Sequence, residues 1–440
     1  ATTPRKPLNG PAEYSREPYP REPRQPSPAV DAHGGPRPLS ERRGPSVLVF
    51  TQTFPNEKQP QLGLFVRERM FRVAQRIPVC FVAPVPWFPL QGLLRHSRPY
   101  FRPTPKRVEQ QGRHTVHHPR FLSVPGILKR ADGFLLAAST LPHVRRLAQR
   151  HDVTVIDAHF GYPDGYAARL LGKWLNLPVT ITIRGNEEVQ ARNPSLRPLL
   201  ASALRHAQRV FAVSEPLRTL AVELGVDQER AVTVSNGVDL DTFQPVERSM
   251  ARQALGLPEQ ARVLVSVGGL VEGKGFHRVI ELLPRLRETM PDLVYLIAGG
   301  ATPVGDWRPR LERQASDLGL DAVVRFLGAV PPPRLKWVLS AADVFVLATA
   351  REGWANVLLE AMACGLPVVT TRVGGNPEVL SSTNVGTLVP LGDQAALENA
   401  LRDALSRPWD RAAILAYARR NGWLPRIDRL VEEFSSLSPA

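Results

Sequence analysis

The chain has 440 residues, 43% of them hydrophobic, and a net charge of +15. That length suits two or three domains with sizeable cores. Its two cysteines, Cys80 and Cys364, stand far apart and outside any metal or redox pattern, which excludes a disulfide scaffold and fits a reducing cytosol. No run of about 18 apolar residues is present, and the start ATTPRKPLNG lacks the apolar core of a signal peptide, so neither a membrane span nor a secretory leader is expected.

Residues 1–45 carry eleven prolines and no hydrophobic periodicity, and are expected to be a disordered basic arm. Charge then divides unevenly. Residues 46–245 hold 26 basic and 15 acidic side chains, whereas residues 246–440 hold 22 and 21. A basic first half suits an anionic lipid surface or an acidic substrate. No zinc-finger, RNP-type or basic-zipper pattern accompanies it, so nucleic acid is not an expected partner.

From Val47 the pattern alternates. Apolar, β-branched runs at Val47–Thr51, Val79–Ala83, Val153–Ala158, Val179–Ile183 and Val210–Val213 are separated by helical stretches such as Phe65–Gln75 and Ala167–Leu175. After a break around Phe243–Arg252 the alternation restarts, with strands predicted at Val263–Val267, Leu293–Ala298, Val323–Leu327, Val344–Leu347 and Val368–Thr371, and helices at Phe276–Glu288 and Val357–Cys364. Apolar strands separated by helices predict an α/β class with two doubly wound, Rossmann-like parallel sheets in tandem. Ligands of such sheets bind beyond the carboxyl ends of the strands, here expected in a cleft between the two domains. The expected boundaries are 46–245 for the first domain, 246–405 for the second, and 406–440 for a helical segment packing back on the first.

Two stretches in the first half invite other readings. HTVHHPR groups His114, His117 and His118, but it alternates like a strand and runs into Pro119, so its histidines share no helical face and no metal site is expected. WFPLQGLLRHSRPYFRPTPKR, Trp87 to Arg107, mixes aromatics with arginines as interfacial segments do, and suits a grip on an anionic leaflet.

VSVGGLVEGKGFHRVI, Val265 to Ile280, places Gly268, Gly273 and Lys274 at the spacing of a triphosphatase phosphate loop. The next residue should be Ser or Thr to hold Mg²⁺, and it is Gly275. No acidic residue closes a strand as a second metal ligand, either. Between a strand and a helix, the loop taken alone suits either an anion cradle made of backbone N–H groups and Lys274 or a tight turn with a solvated lysine.

The stretch ATAREGWANVLLEAMACGLPVVTTRVGGNPEVL, Ala348 to Leu380, sets Glu352 in a loop and Glu360 inside the following helix. A carboxylate on such a helix accepts from a ribose diol, one in the loop meets sugar hydroxyls, and the amides of Trp354 to Val357 face phosphate. With these motifs the chain resembles the retaining glycosyltransferases of family 4, of the GT-B fold, over nearly all of residues 46–440. NGVDLDTF (Asn236 to Phe243) is similar to the family's end of the first domain, and QLGLFVRER to its N-terminal glycine loop. DAHFGYPDGYAA and ITIRGNEE are similar to a branch that builds cell-surface polysaccharides, including teichuronic acid.

The resemblance implies residue roles. Lys274, with Gly268, Gly269, Asn356 and Val357, would hold the donor diphosphate, Glu360 the ribose and Glu352 the transferred sugar. His159 would touch the sugar near the reacting carbon. Gly63 and Arg184 would lie on the acceptor side, Arg184 standing where many relatives have a second histidine. One departure is plain: the family pairs Lys274 with an arginine five positions earlier, where this chain has Gly269. Arg351 or Arg372 is expected to compensate. The implied activity is metal-independent transfer of a hexose-type sugar from a nucleoside-diphosphate sugar, a UDP-sugar foremost, to a lipid-linked or anionic saccharide. No further cofactor is implied. The expected location is cytoplasmic, peripheral on the inner face of the plasma membrane, with domain closure excluding water. Nucleotide-sugar epimerisation and a non-catalytic role in a polysaccharide assembly complex are the alternatives.

Overall fold

The structure, a computed structural model, describes residues 44–89, 91–92, 103–124, 126, 129–302 and 305–438. The proline-rich arm at 1–43 and the centre of the aromatic and arginine-rich stretch lie outside the described residues.

The chain divides into two compact units. The first runs to Gly237 and takes in the C-terminal Trp423–Ala440. Its strands are β1 (Val47–Phe50), β2 (Val79–Val82), β3 (Val85–Trp87), β4 (Val108–Gln111), β5 (His114–His117), β6 (Arg120–Leu122), β7 (Val155–His159), β8 (Val179–Ile183), β9 (Arg209–Ala212) and β10 (Ala231–Thr233). Eight form one sheet in the order β10-β9-β8-β7-β1-β2-β5-β4, and β3 with β6 makes a separate ribbon. All pairings in the main sheet are parallel except β4 with β5, the hairpin that contains HTVH. The central strands read VLVF, VIDAH and VTITI because both of their faces are covered, and each of their residues is buried. Helices α1 (Leu64–Val73), α2 (Asp132–Arg150) and α3 (Tyr166–Leu175) follow the sheet, α1 burying Val66, Met70 and Val73.

The second unit, Val238–Gly422, contains β11 (Arg262–Val267), β12 (Leu293–Ala298), β13 (Val324–Gly328), β14 (Val344–Leu347), β15 (Val368–Thr371) and β16 (Gly386–Val389). They form one all-parallel sheet ordered β13-β12-β11-β14-β15-β16. Successive residues feed opposite faces. Val263, Val265, Phe345 and Leu347 pack with Leu358, Leu359 and Met362 of α5 (Asn356–Ala363). Leu264, Val344 and Val346 pack with Phe276, Ile280 and Leu283 of α4 (Phe276–Arg287). Two-sided burial of one sheet by helices is the doubly wound architecture.

The division corrects the expected boundaries. It falls at Gly237/Val238 rather than at 245/246, because Val238 and Phe243 are core residues of the second unit and the Val238 amide donates to Asn421 O at 3.0 Å. Residues 406–422 also stay with the second unit, where Ile414, Tyr417 and Ala418 join the same core. Only the final segment, carrying α6 (Leu424–Leu437), belongs to the first. Its Ile427, Leu430 and Phe434 share a core with Val47, Val155 and Phe211, and Phe434 meets Phe211 edge-on at 5.8 Å between centroids. Phe434 is fully buried, so Phe434→Ala should cost about 3–5 kcal/mol in denaturant unfolding. A loss below about 1 kcal/mol would place α6 outside the cooperative core.

Candidate active site

In the second sheet the strand order reverses between β11 and β14, since β12 and β13 lie on one side and β15 and β16 on the other. A crevice opens at the carboxyl end of such a switch point. The loops that leave β11, β14 and β15 there are tied together. Gly273 O accepts from Thr349 Oγ1 (3.0 Å) and from the Ala350 amide (2.7 Å). Lys274 Nζ donates to Glu352 Oε1 at 2.5 Å, the lysine side chain being 30% exposed and the glutamate 10%. Beyond β15, Gly375 donates to Glu352 O at 3.3 Å. Gly374 packs so closely there that a Cβ would lie 1.7 Å from the same oxygen, and its φ of +47° is one that a side chain would resist. The pair of glycines in GGNPE is therefore a consequence of how Glu352 is held.

Asn356 and Val357 form the first turn of α5, and Glu360 lies one turn further along it. Gly268 closes β11, its amide donating to Ala298 O at 3.0 Å. At Gly269, where the resembled family carries an arginine, a Cβ would lie 2.3 Å from Thr302 Cγ2, so a side chain there would require the threonine side chain to move aside. Arg351 and Arg372 are both exposed, on the loops that follow β14 and β15. A third arginine, Arg278 in the first turn of α4, donates to Ala348 O at 2.7 Å and braces the same loop.

The first unit gathers a different set at the carboxyl ends of β1, β7 and β8. His159 ends β7 and is completely buried. Its Nδ1 accepts from Arg184, whose Nε is 3.3 Å and Nη2 3.1 Å away. Its Nε2 lies 3.3 Å from Asp157 Oδ2, near enough for attraction but misaligned for a hydrogen bond. The imidazole is thus covered by Arg184 rather than presented to solvent. The Arg184 guanidinium also donates to Asn236 Oδ1 at 3.2 Å and lies over the Phe65 ring at 5.1 Å. Fully buried Arg69 shares that amide oxygen at 2.9 Å and donates to Val234 O at 2.7 Å. Gly63 precedes α1, its carbonyl accepting from Val66 and Arg67.

Two buried carboxylates hold the turns in place. Asp164 accepts from Thr51 Oγ1 (3.0 Å) and from the amide (2.9 Å) and side chain (2.6 Å) of Gln52. Burial raises its pKa to about 6 against these donors. Glu187 accepts from the amides of Gly161, Arg184 and Gly185 at 2.9–3.0 Å. Between them Phe160 is held at φ +72°, a costly conformation for an aromatic residue and of the kind that collects at functional sites.

The structure therefore brings Lys274, Gly268, Gly269, Glu352, Asn356, Val357 and Glu360 to one end of one sheet, and His159, Arg184 and Gly63 to the corresponding end of the other. Sequence reasoning assigned no role to Arg69, Asp157, Asp164, Glu187 or Asn236. Every one of them stands inside a motif string that drew attention for other letters. Among the described residues no group of three or more His, Cys, Asp or Glu is placed to hold a metal ion.

Burial, with Arg184 and Arg69 nearby, depresses the His159 pKa from 6.5 to about 4, against the attraction of Asp157. The unfolded chain then takes up the proton first as pH falls, so the folded state loses stability from pH 6.5 down to about 4. His159→Asn has no such group. The stability difference between wild type and this variant should shift against the wild type by up to about 3 kcal/mol over that range, read by denaturant unfolding at each pH. A difference that is flat with pH would contradict a buried neutral imidazole.

Comparison with known proteins agrees with this two-sheet architecture. The family described as glycosyl transferases group 1 matches residues 247–421, and glycosyltransferase family 4 matches residues 96–242. A D-inositol 3-phosphate glycosyltransferase of Corynebacterium urealyticum is 35% identical over 280 residues, 60% of this chain and 66% of the relative. Of two further D-inositol 3-phosphate glycosyltransferases the chain spans 53% and 48%, about half their length. A Bacillus subtilis protein named, provisionally, as a teichuronic acid biosynthesis glycosyltransferase is 27% identical over 82% of this chain and 90% of its own. Among solved structures, Anabaena HepE in complex with UDP has a TM-score of 0.67 at 20% identity, covering 89% of this chain and all of HepE. That likeness establishes the fold, and the two matched regions fall on the two sheets with their two sets of polar residues. The chain belongs to the group 1, family 4 glycosyltransferases, with the two Rossmann-like domains of the GT-B fold.

Proposed function

We propose that the protein transfers a hexose-type sugar, with retention, from a nucleoside-diphosphate sugar to a lipid-linked or anionic saccharide in cell-surface polysaccharide synthesis. The observation that carries this reading is the Lys274–Glu352 pair at the β11/β14 switch point, beside the N-terminus of α5. A donor diphosphate is a stronger partner for Lys274 than a single carboxylate. In this reading it draws Nζ away, and Glu352 is released toward the hydroxyls of the sugar while Glu360 takes the ribose. HepE was solved with UDP, which supports a UDP-sugar first.

Retention by front-face attack suits the first unit's buried carboxylates. Asp157 accepts from Thr180 Oγ1 at 2.7 Å, Asp164 from Thr51 and Gln52, and Glu187 from three amides. Each is committed, and none is offered as a nucleophile for a double displacement. The C1–O bond of the donor breaks with its electron pair going to the diphosphate. The acceptor oxygen then bonds C1 on that same face, and its proton passes to a phosphate oxygen of the leaving group. Lys274 and backbone amides meet the leaving charge without a metal, and with Gly269 in place of arginine a further cation is needed, for which Arg351 and Arg372 are the candidates.

The acceptor side is proposed to meet an anionic leaflet. Trp87 and Leu122 face each other across the β3–β6 ribbon, each 38% exposed, with Arg120 exposed on the same strand as Leu122. Phe134 on α2 is 53% exposed and meets Trp174 on α3 edge-on. Aromatic rings beside arginines suit the headgroup boundary. No helix among the described residues is long and apolar enough to cross a membrane.

Two measurements check these proposals. Transfer of radiolabelled sugar from its UDP conjugate into a membrane extract should fall about a hundredfold or more in Lys274→Ala and in Glu352→Gln, and by a comparable factor in Arg351→Ala or Arg372→Ala. Full turnover in both arginine variants would leave the leaving group without its second cation and remove the compensation. Vesicles containing acidic lipid should retain the protein at low salt and release it at high salt. Equal retention on neutral vesicles, or none on acidic ones, would contradict membrane docking.

A further inference from the structure

The fold leaves two arginines of the first unit in an unusual position. Arg184 has five N–H groups, of which three are taken by His159 and Asn236. Two remain, one on Nη1 and one on Nη2, and the residue is partly exposed. Arg69, behind it, is completely buried, and its Nε and Nη1 have no hydrogen-bond partner. Among the described residues neither guanidinium forms an ion pair, and the acceptor they share is a neutral amide, Asn236 Oδ1. Arg426 adds a third positive charge to the surroundings of Arg69, donating to Ser235 next to that asparagine. Asp157 is the carboxylate that acts on both arginines, and it is bound to Thr180 and lies beneath His159.

Two neighbouring guanidinium groups, one buried and one half-buried, are costly where the nearby carboxylates, Asp157 for both and Glu187 for Arg184, make no ion-pair contact with them, and such a fold gains when an anion arrives. Arg184 is arranged to receive one. Its ring-stacked, three-point attachment to His159 Nδ1, Asn236 Oδ1 and the face of Phe65 fixes the guanidinium plane before any ligand binds. Glu187, accepting from the Arg184 amide, fixes the backbone beneath it. A guanidinium so held presents two parallel donors to two oxygens of one phosphoryl or carboxylate group.

We propose that Arg184, supported from behind by the field of Arg69, is an oxyanion-binding site that takes the phosphoryl or carboxylate group of the acceptor. This rests on the glycosyltransferase reading and narrows its acceptor to one carrying that charge. His159 is then a positioning residue: its Nδ1 orients Arg184, and it acts on the substrate through that arginine. An asparagine at position 159 can still offer an acceptor oxygen close to the place of Nδ1, whereas an alanine cannot.

The test is calorimetric titration of the full chain, at constant ionic strength, with inorganic phosphate, with glucuronate and with glucose as the uncharged control. At least one of the two anions should bind while glucose does not, and which one binds tells a phosphoryl acceptor from an acidic sugar. Arg184→Gln should weaken that binding about tenfold or more. His159→Ala should weaken it similarly, and His159→Asn should recover most of it. Titration of UDP into the same proteins shows that the variants are folded and keeps the two ideas apart: an anion site without UDP binding would sink the donor reading alone. Anion binding that survives Arg184→Gln, or that disappears in Lys274→Ala instead, overturns the assignment. So does a wild-type protein that binds neither anion more tightly than glucose.

Discussion

The Lys274–Glu352 ion pair exists because two parallel strands that are distant in sequence end side by side. β11 and β14 are neighbours at the point where the order of the second sheet reverses, so the loops leaving them meet with no strand between. Gly273 O, accepting from both Thr349 and Ala350, fixes the register of those loops, and Gly374 and Gly375 close over the backbone of Glu352. A lysine and a carboxylate are thereby held in contact at a helix N-terminus, where an anion is favoured. Everything proposed about donor binding follows from that placement: a site that already pairs its cation must exchange partners when a diphosphate enters.

The first sheet solves a different problem with the same geometry. Its turns after β1, β7 and β8 bring charged groups inward, and the buried carboxylates Asp164 and Glu187 fasten those turns rather than standing free. What is left over is positive charge. Arg69 and Arg184 surround Asn236 with no ion pair among the described residues, and His159 is kept neutral to serve as an acceptor. One unit thus closes on an internal ion pair and the other holds two arginines out of ion-pair contact with the carboxylates near them, an asymmetry that fits one unit for a diphosphate and the other for an anionic acceptor.

The sequence made the architecture readable and left much of the site's wiring hidden. The ten predicted strands correspond to ten observed ones within a residue or two at their ends, because strands buried on both faces leave continuous β-branched runs. The less regular ones were missed. β16, reading GTLV, is four residues long and opens on glycine, and β10 has only three, so neither rises above a loop in composition. The domain boundary lies eight residues before the expected one: NGVDLDTF is similar to the stretch that ends the first domain in the family, yet Val238 and Phe243 are already core of the second unit. In the sites, Lys274, Glu352 and Glu360 were legible from glycine spacing and from the seven residues between the glutamates. Arg69 was not: one of three arginines in the helix LFVRERMFRV, it has the look of a solvated side chain, and only the tertiary fold buries it against Val234 and Asn236. Asp164 was hidden similarly, since Thr51 and Gln52 become its neighbours only after strands pair, and so was the contact of Glu187 with the Gly161 amide. The close approach of Thr302 to Gly269 depends on a loop more than thirty residues away.

The most direct test of the central claim, that the β11/β14 switch point holds a nucleoside diphosphate through Lys274 without a metal, is thermal unfolding with UDP, GDP, ADP and ATP, each in EDTA and in Mg²⁺. A diphosphate present at about a hundred times its dissociation constant should stabilise the chain by roughly 2.7 kcal/mol. The account predicts such a shift for one of the diphosphates, undiminished in EDTA. A shift confined to ATP with Mg²⁺, or none with any nucleotide, would contradict it.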